Sequence, residues 1–184
     1  MYIGNSYAFY FCITWLPTYL QERHGFNMAG LGIAAGAPMF LSAIGDLFGG
    51  VATDGLSKRF GLRIGRAGLG AVAYALAAIA MFLAAAASNP YAAVALFAFA
   101  FAAVMFTLGA AWGTCLDIGG RHTAVVGATM NTAGQLGSIA SPHITTFAKN
   151  HLGGWDAPIY VIAGLFLIGA VSWCFIDPRK PVFD

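Results

Sequence analysis

The sequence predicts an all-α membrane protein, a single bundle of six transmembrane helices over residues 1–184. Three observations carry this reading. Lys, Arg, Asp and Glu make up only 9% of the chain, against roughly a quarter of an ordinary soluble domain. Apolar residues make up 59%, and a globule of this size could not cover its surface in water with so few charges. The apolar residues also gather in runs near the roughly 20 residues that a helix needs to cross a bilayer.

The spans follow in order. Residues 2–21 carry no charge and end at Gln21-Glu22-Arg23-His24. Residues 29–53 form a second run, interrupted by Asp46, and a charge-rich loop is expected over 54–66. Residues 67–116 hold no formal charge, which is too long for one crossing, and Ser88-Asn89-Pro90 divides them into 67–87 and 91–116. Proline disfavours helix at the residue before it and suits the start of the next helix. The fifth and sixth spans are 124–148 and 157–176. Pro17 and Pro38, inside the first two spans, are expected to kink them.

Several classes are excluded. A soluble enzyme, a disulfide scaffold and a disordered tail do not have this composition. The net charge of +2 brings no basic stripe, so no nucleic-acid partner is expected. Cys12, Cys115 and Cys174 sit in apolar runs and read as packing residues. The first residues lack a basic n-region and a cleavage site, so no processed signal peptide is expected.

Orientation follows from the basic residues of the short loops. With the N-terminus in the cytoplasm, Lys58, Arg59, Arg63, Arg66, Arg121, Arg179 and Lys180 lie inside, and Arg23 and Lys149 outside. Both termini then lie on the cytoplasmic side.

The spans differ in polarity. The third and sixth are bland and read as the lipid-facing pair. The fifth carries Asn131, Gln135, Ser138 and Pro142 at i, i+4, i+7 and i+11, which places them on one face. Polar side chains at mid-membrane face a wet cavity or hydrogen-bond across helices as glue, and both readings stay open for this face. On the first span, Tyr7, Tyr10 and Thr14 share a face, with Asn5 near its start. Trp112, Thr107 and Thr114 lie on the fourth. Tyr7 and Trp112 fit an aromatic belt at the membrane interface as well as a binding site. Gly32/Gly36, Gly45/Gly49 and Gly109/Gly113 are G-x-x-x-G pairs that allow close helix contact. Asp46, the one charge well inside a span, reads either as a proton or cation site or as a carboxylate hydrated or paired with a loop arginine.

Catalytic and cofactor chemistry is missing from the sequence. Gly137-Ser138-Ile139-Ala140-Ser141 does not match the Gly-x-Ser-Gly of an intramembrane protease. Asn89-Pro90-Tyr91 is not an aquaporin box, and the four His residues are too scattered for a zinc cluster. No phosphate loop or haem-ligand pattern appears, so neither an enzyme nor a cofactor is expected.

One loop carries a resemblance. Gly50-Val51-Ala52-Thr53-Asp54-Gly55-Leu56-Ser57-Lys58-Arg59 resembles the G-x-x-x-D-x-x-x-R-[KR] motif of the major facilitator superfamily, in the copy joining helices 8 and 9, with Lys58 at the first basic position. An Asp at a helix end followed by basic residues can latch neighbouring helix ends through charge-assisted hydrogen bonds. Trp15-Leu16-Pro17-Thr18-Tyr19-Leu20, Asp117-Ile118-Gly119 and Gly127-Ala128-Thr129-Met130-Asn131-Thr132-Ala133-Gly134-Gln135-Leu136-Gly137, with Ser141-Pro142, narrow it to the anion:cation symporter family.

The resemblance covers helices 7 to 12 of a twelve-helix transporter, so a missing N-terminal six-helix half is expected as partner. It implies a secondary transporter of the bacterial inner membrane, working by alternating access, coupled to protons, and carrying a small organic anion such as a sugar acid. It assigns substrate contact to Asn131, with Trp112, Asn5 and Tyr7 as further matches. The expected substrate-binding set is Asn131, Gln135, Ser138, Trp112, Tyr7, Tyr10 and Asn5. The expected gating set is Gly50, Asp54, Lys58 and Arg59. No Lys or Arg lies within a span, so a substrate carboxylate would have to be neutralised by the other half. His143 departs from the apolar residue usual after Ser-Pro. The alternative is a truncated, non-transporting membrane fragment or an assembly partner that dimerises through its polar face.

Overall fold

The computed structural model describes residues 1–182, with residues 28 and 29 described by backbone alone. Among these residues the chain is helical throughout, without strands. The helices are α1 (Tyr2–Thr14), α2 (Leu16–His24), α3 (Met28–Phe60), α4 (Leu69–Ala86), α5 (Pro90–Met105), α6 (Leu108–Gly119), α7 (Thr123–His151) and α8 (Asp156–Phe175). A π-helical turn, Arg63–Gly68, leads into α4, and a 3-10 turn, Gly120–His122, leads into α7.

Four helical stretches are long and apolar enough to cross a membrane: Gly30–Phe60, Arg63–Ala86, Pro90–His151 and Asp156–Phe175. The sequence led us to expect six, and the difference has two sources. The first expected span is cut at Trp15 into pieces of 13 and 9 residues, each shorter than a bilayer requires. Pro17 lies in the first turn of α2, where its missing N–H costs nothing, and so it starts a helix instead of kinking one. Pro90–His151 spans 62 residues, about three times a single crossing, and reverses at Gly120, whose φ of 49° suits glycine. Pro38 lies inside an unbroken α3.

A second break, between α5 and α6, falls at Phe106–Thr107. There Thr107 turns back on the helix: its N–H reaches the Val104 carbonyl at 3.1 Å and its hydroxyl the same oxygen at 2.7 Å. At Asn89-Pro90, Asn89 Oδ1 accepts from the N–H groups of Tyr91 and Ala92 and so caps α5.

Helix pairs meet where small residues admit a neighbour. α4 and α8 interlock reciprocally, the Trp173 ring over Gly70 and the Tyr74 ring over Gly169. Tyr74 also meets Phe166 edge-on at 5.8 Å. Their outward faces carry Val72, Ile79, Leu83, Leu167, Ile168 and Phe175, all apolar. α3 presses Gly45 and Gly49 onto the backbone of Ala102 and Phe106, fixing it against the α5–α6 joint. α1 lies on α7 with the Ile3 carbonyl over Gly137 and Tyr2 and Ser6 over Gly134.

Two ion-pair clusters tie helix ends together. α2 is bound to the α7–α8 connection, with Lys149 Nζ 2.7 Å from Glu22 Oε2 and Arg23 Nε 3.1 Å from Asp156 Oδ1. The Trp155 indole N–H donates to the same Glu22 oxygen at 2.9 Å, and Lys149 lies 4.2 Å from the Trp155 ring centroid. The other cluster forms at the far end of α3, around Arg66.

The charge-rich stretch 54–66 differs from expectation. α3 continues helically through Phe60, and Gly61, with a φ of 86°, makes the turn. The residues are helical because Asp54 to Arg59 contain no breaker other than Gly55, and Lys58 and Arg59 favour the negative end of the helix.

Candidate functional site

α1 and α7 enclose a groove of about 380 Å³, with a short contribution from the α5–α6 joint. On the α1 side it is lined by Tyr2, Asn5, Ser6, Phe9 and Tyr10, on the α7 side by Asn131, Gln135 and Ser138, and at its edge by Met105 and Leu108. Glycines make the groove possible. Gly134 and Gly137 let the α1 backbone close on α7, so the polar residues that flank them stand at the seam.

Five of the seven expected binding residues therefore line one groove: Asn5, Tyr10, Asn131, Gln135 and Ser138. Tyr7 does not. It is buried, and its hydroxyl lies 3.3 Å from Thr145 Oγ1 in the α1–α7 packing. The groove face of α1 centres on Tyr2, Ser6 and Phe9, and Tyr7 lies about 140° around the helix from Tyr2. Tyr10, roughly 60° from Tyr7, just reaches the edge. Trp112 does not line the groove either. It packs over Gly127 and meets Tyr2 edge-on at 6.5 Å, so it borders the site through Tyr2. Tyr2, Ser6 and Phe9 lie off the face of Tyr7, Tyr10 and Thr14 that the sequence leads one to expect. The i, i+4, i+7 spacing of Tyr2, Ser6 and Phe9 was the available signal.

Two polar groups in this groove are unsatisfied. Asn5 and Ser138 are 6% and 5% exposed, and Asn5 Oδ1 and Ser138 Oγ have no hydrogen-bond partner. Such groups cost free energy unless something bonds to them. A larger cavity of about 480 Å³ lies between α3 and α5 near Phe26 and Tyr91. Its polar lining is already engaged: Asn27 caps Gly30, and His24 is bonded to the Tyr19 hydroxyl. The chemistry points to the smaller groove. His143 lies outside it, exposed on α7.

At the expected gating loop, Asp54 holds Arg66, a cation outside the expected set. Arg66 Nη1 lies 3.1 Å from Asp54 Oδ1 and its Nε 3.1 Å from Asp117 Oδ2, joining the ends of α3 and α6. Lys58 and Arg59 are exposed, and Arg59 rests over the Phe60 ring at 5.2 Å. Lys58 stands one helical turn beyond Asp54 on the same face, yet the cation that Asp54 holds is Arg66. Gly50 has its own part, since its backbone fills the space beside Gly109 of α6.

The sequence model of the Major Facilitator Superfamily matches residues 1–142. The chain belongs to this family. It is 33% identical over 174 residues to the probable sulfoacetate transporter SauU of Cupriavidus necator, covering 92% of this chain and 40% of that one. It is 28% identical over 178 residues to the probable galactarate/D-glucarate transporter GarP of Escherichia coli K12, covering 95% and 39%. It is 25% identical over 181 residues to the chloroplastic sodium-dependent phosphate transport protein 1 of Arabidopsis thaliana, covering 98% and 35%. The chain thus spans about two fifths or less of the length of these curated relatives. The family and the relatives are membrane transporters, not enzymes. Family and the four long apolar helical stretches together mark an integral membrane protein.

Proposed function

We propose that this chain forms the C-terminal six-crossing half of a secondary transporter for small organic anions, with the α1–α7 groove as one wall of the substrate path. The observation that carries this is the pair of buried, unpartnered groups, Asn5 Oδ1 and Ser138 Oγ, facing one groove with Asn131 and Gln135. The names of the bacterial relatives, a sulfoacetate and a galactarate/D-glucarate transporter, support an anionic substrate.

In this reading α1 and α2 together make the first crossing and α5 and α6 together the fourth. α3, the π turn with α4, α7 and α8 make the others. The bias of the basic residues supports both termini on the cytoplasmic side, and the membrane proposed is a bacterial inner membrane. No Lys or Arg lines the groove, so this wall offers neutral donors and acceptors, and the charge of the anion is met by the opposing six-helix half. The exposed apolar residues Ile33, Phe40 and Leu47 of α3 and Leu136 and Ile139 of α7 offer that half a surface. Alternating access then exposes the groove to each side in turn, with proton uptake as the driving reaction and the Arg66 latch holding α3 to α6 during the movement.

The test is uptake of labelled sulfoacetate, D-glucarate and galactarate by the full-length protein in proteoliposomes, with and without Asn131→Ala. Loss of one groove hydrogen bond is expected to weaken transport roughly tenfold. Unchanged uptake in the variant would remove Asn131 from the site.

A further inference from the structure

Among the described acidic residues, Glu22, Asp54, Asp117, Asp156 and Asp177 each hold a Lys or Arg. Asp46 alone has no cation, and no hydrogen bond engages its carboxyl. It is also the acid placed where charge is most costly. It stands inside the apolar stretch Gly30–Phe60, about 24 Å along the helix from one end and about 21 Å from the other. A loop arginine does not reach it, since Arg66 is committed to Asp54 and Asp117. The fold makes no use of this carboxyl, and an ionisable group at such a depth is expected to carry function.

Its surroundings lead to the groove. Asp46 itself does not line the groove, but it lies within electrostatic reach of Tyr2, which lines it beside Asn131 and lies edge-on to Trp112. Gly45 and Gly49, seated on the backbone of Ala102 and Phe106, fix α3 at this level. The other elements packed on α3 offer no competing charge there. α1 brings Tyr2, and α5 carries no ionisable group besides Tyr91 at its start. α6 brings Cys115, with Asp117 held by Arg66. The π turn brings Arg63 and Arg66 at the far end, and α2 brings Glu22, Arg23 and His24 at the opposite end, where they are tied to Lys149, Asp156 and Tyr19.

Resting on the transporter reading above, we infer that Asp46 is a proton-binding site of the transport cycle. Its carboxylate takes a proton from water that reaches it on one side of the membrane, becoming a neutral carboxylic acid. It returns that proton to water when the groove opens to the other side. No other bond changes. Coupling arises because sealing an unpaired carboxylate from water is costly, whereas sealing the acid is not.

The experiment uses the full-length protein in proteoliposomes and whichever of labelled sulfoacetate or D-glucarate the wild type accumulates. Asp46→Asn is expected to lose accumulation driven by an inward proton gradient at least about tenfold while retaining exchange of internal for external substrate. Retained exchange shows that the variant folds and binds. Asp46→Glu is expected to restore driven accumulation with a displaced pH profile. Driven accumulation unchanged in Asp46→Asn, a pH profile of Asp46→Glu identical to wild type, or accumulation driven by sodium and indifferent to pH would each overturn the assignment. Failure of the wild type to carry any anion contradicts the transporter reading itself, so the two failures are distinguishable.

Discussion

Arg66 Nε donates to Asp117 Oδ2 across 3.1 Å, joining residues 51 positions apart at the ends of two helices. The guanidinium is mostly covered, with 11% of the side chain exposed, and Asp117 nearly so at 20%. Asp54, the third member, is 64% exposed. A covered pair broken on one side leaves the other charge uncompensated, whereas an exposed pair contributes little. Arg66→Ala is therefore expected to lower stability by about 3 kcal/mol, and Asp54→Ala by under about 1 kcal/mol. Thermal denaturation in detergent micelles measures both. Gly113→Ala probes the same latch without removing a charge, because its new methyl group would occupy the space of the Arg66 guanidinium.

The closeness of α1 to α7 sets the width of the groove. A methyl group at Gly137 would overlap the Ile3 carbonyl, which is backbone and cannot turn aside. Gly137→Ala is expected to cost about 1–3 kcal/mol and to open the seam. Gly36→Ala, where nothing lies within 4 Å, is the control and should change the melting temperature little in this chain. Equal effects of the two would contradict the α1–α7 packing.

Tyr7 separates packing from binding. Its hydroxyl meets Thr145 away from the groove, so Tyr7→Phe is expected to cost about 1 kcal/mol in stability and leave substrate uptake near wild type. A large loss of uptake at unchanged melting temperature would place Tyr7 in the substrate path.

Much of this was legible in the residues, and the omissions have physical causes. Composition and run length fixed the helical membrane class, and Asn89-Pro90 marked its boundary through a cap that any Asn-Pro pair can form. The polar face of α7 was readable because Asn131, Gln135 and Ser138 keep helical spacing in an otherwise apolar stretch. The break at Thr107 was not readable, since it depends on one hydroxyl turning back to Val104 rather than on a proline or glycine at the joint. Which side of α1 meets α7 is not legible in the sequence, because aromatic residues occupy both of its sides and only contact with Gly134 and Gly137 decides it. The latch chemistry was foreseen, but not its cation. Arg66 reaches Asp54 through the Gly61 turn, a relation of three dimensions that the spacing of Lys58 and Arg59 does not contain.

The cluster at the end of α2 makes stability depend on pH. Hydrogen bonds from Lys149 and Trp155 hold the Glu22 carboxyl below its ordinary value of 4.5. Partial burial, with the Arg23 charge beside it, holds the His24 imidazole below its ordinary 6.5. Both groups bind protons less readily when folded, so their contributions are complete above those ordinary values and are lost as pH falls through the lowered ones. The melting temperature is expected to fall on acidification below pH 6.5 and again below 4.5. His24→Gln should remove the upper step, and Glu22→Gln the lower. A flat profile through the upper range in wild type would contradict the neutral His24–Tyr19 contact.

In the proposed function this chain supplies one wall of an organic-anion path. Its most direct test is transport by the full-length protein in proteoliposomes, measured against a panel of sugar acids, sulfonates, dicarboxylates and their uncharged analogues. Saturable uptake of at least one small organic anion, and none of its neutral analogue, is the expected result. Uptake of every anion at the level of protein-free vesicles would contradict it.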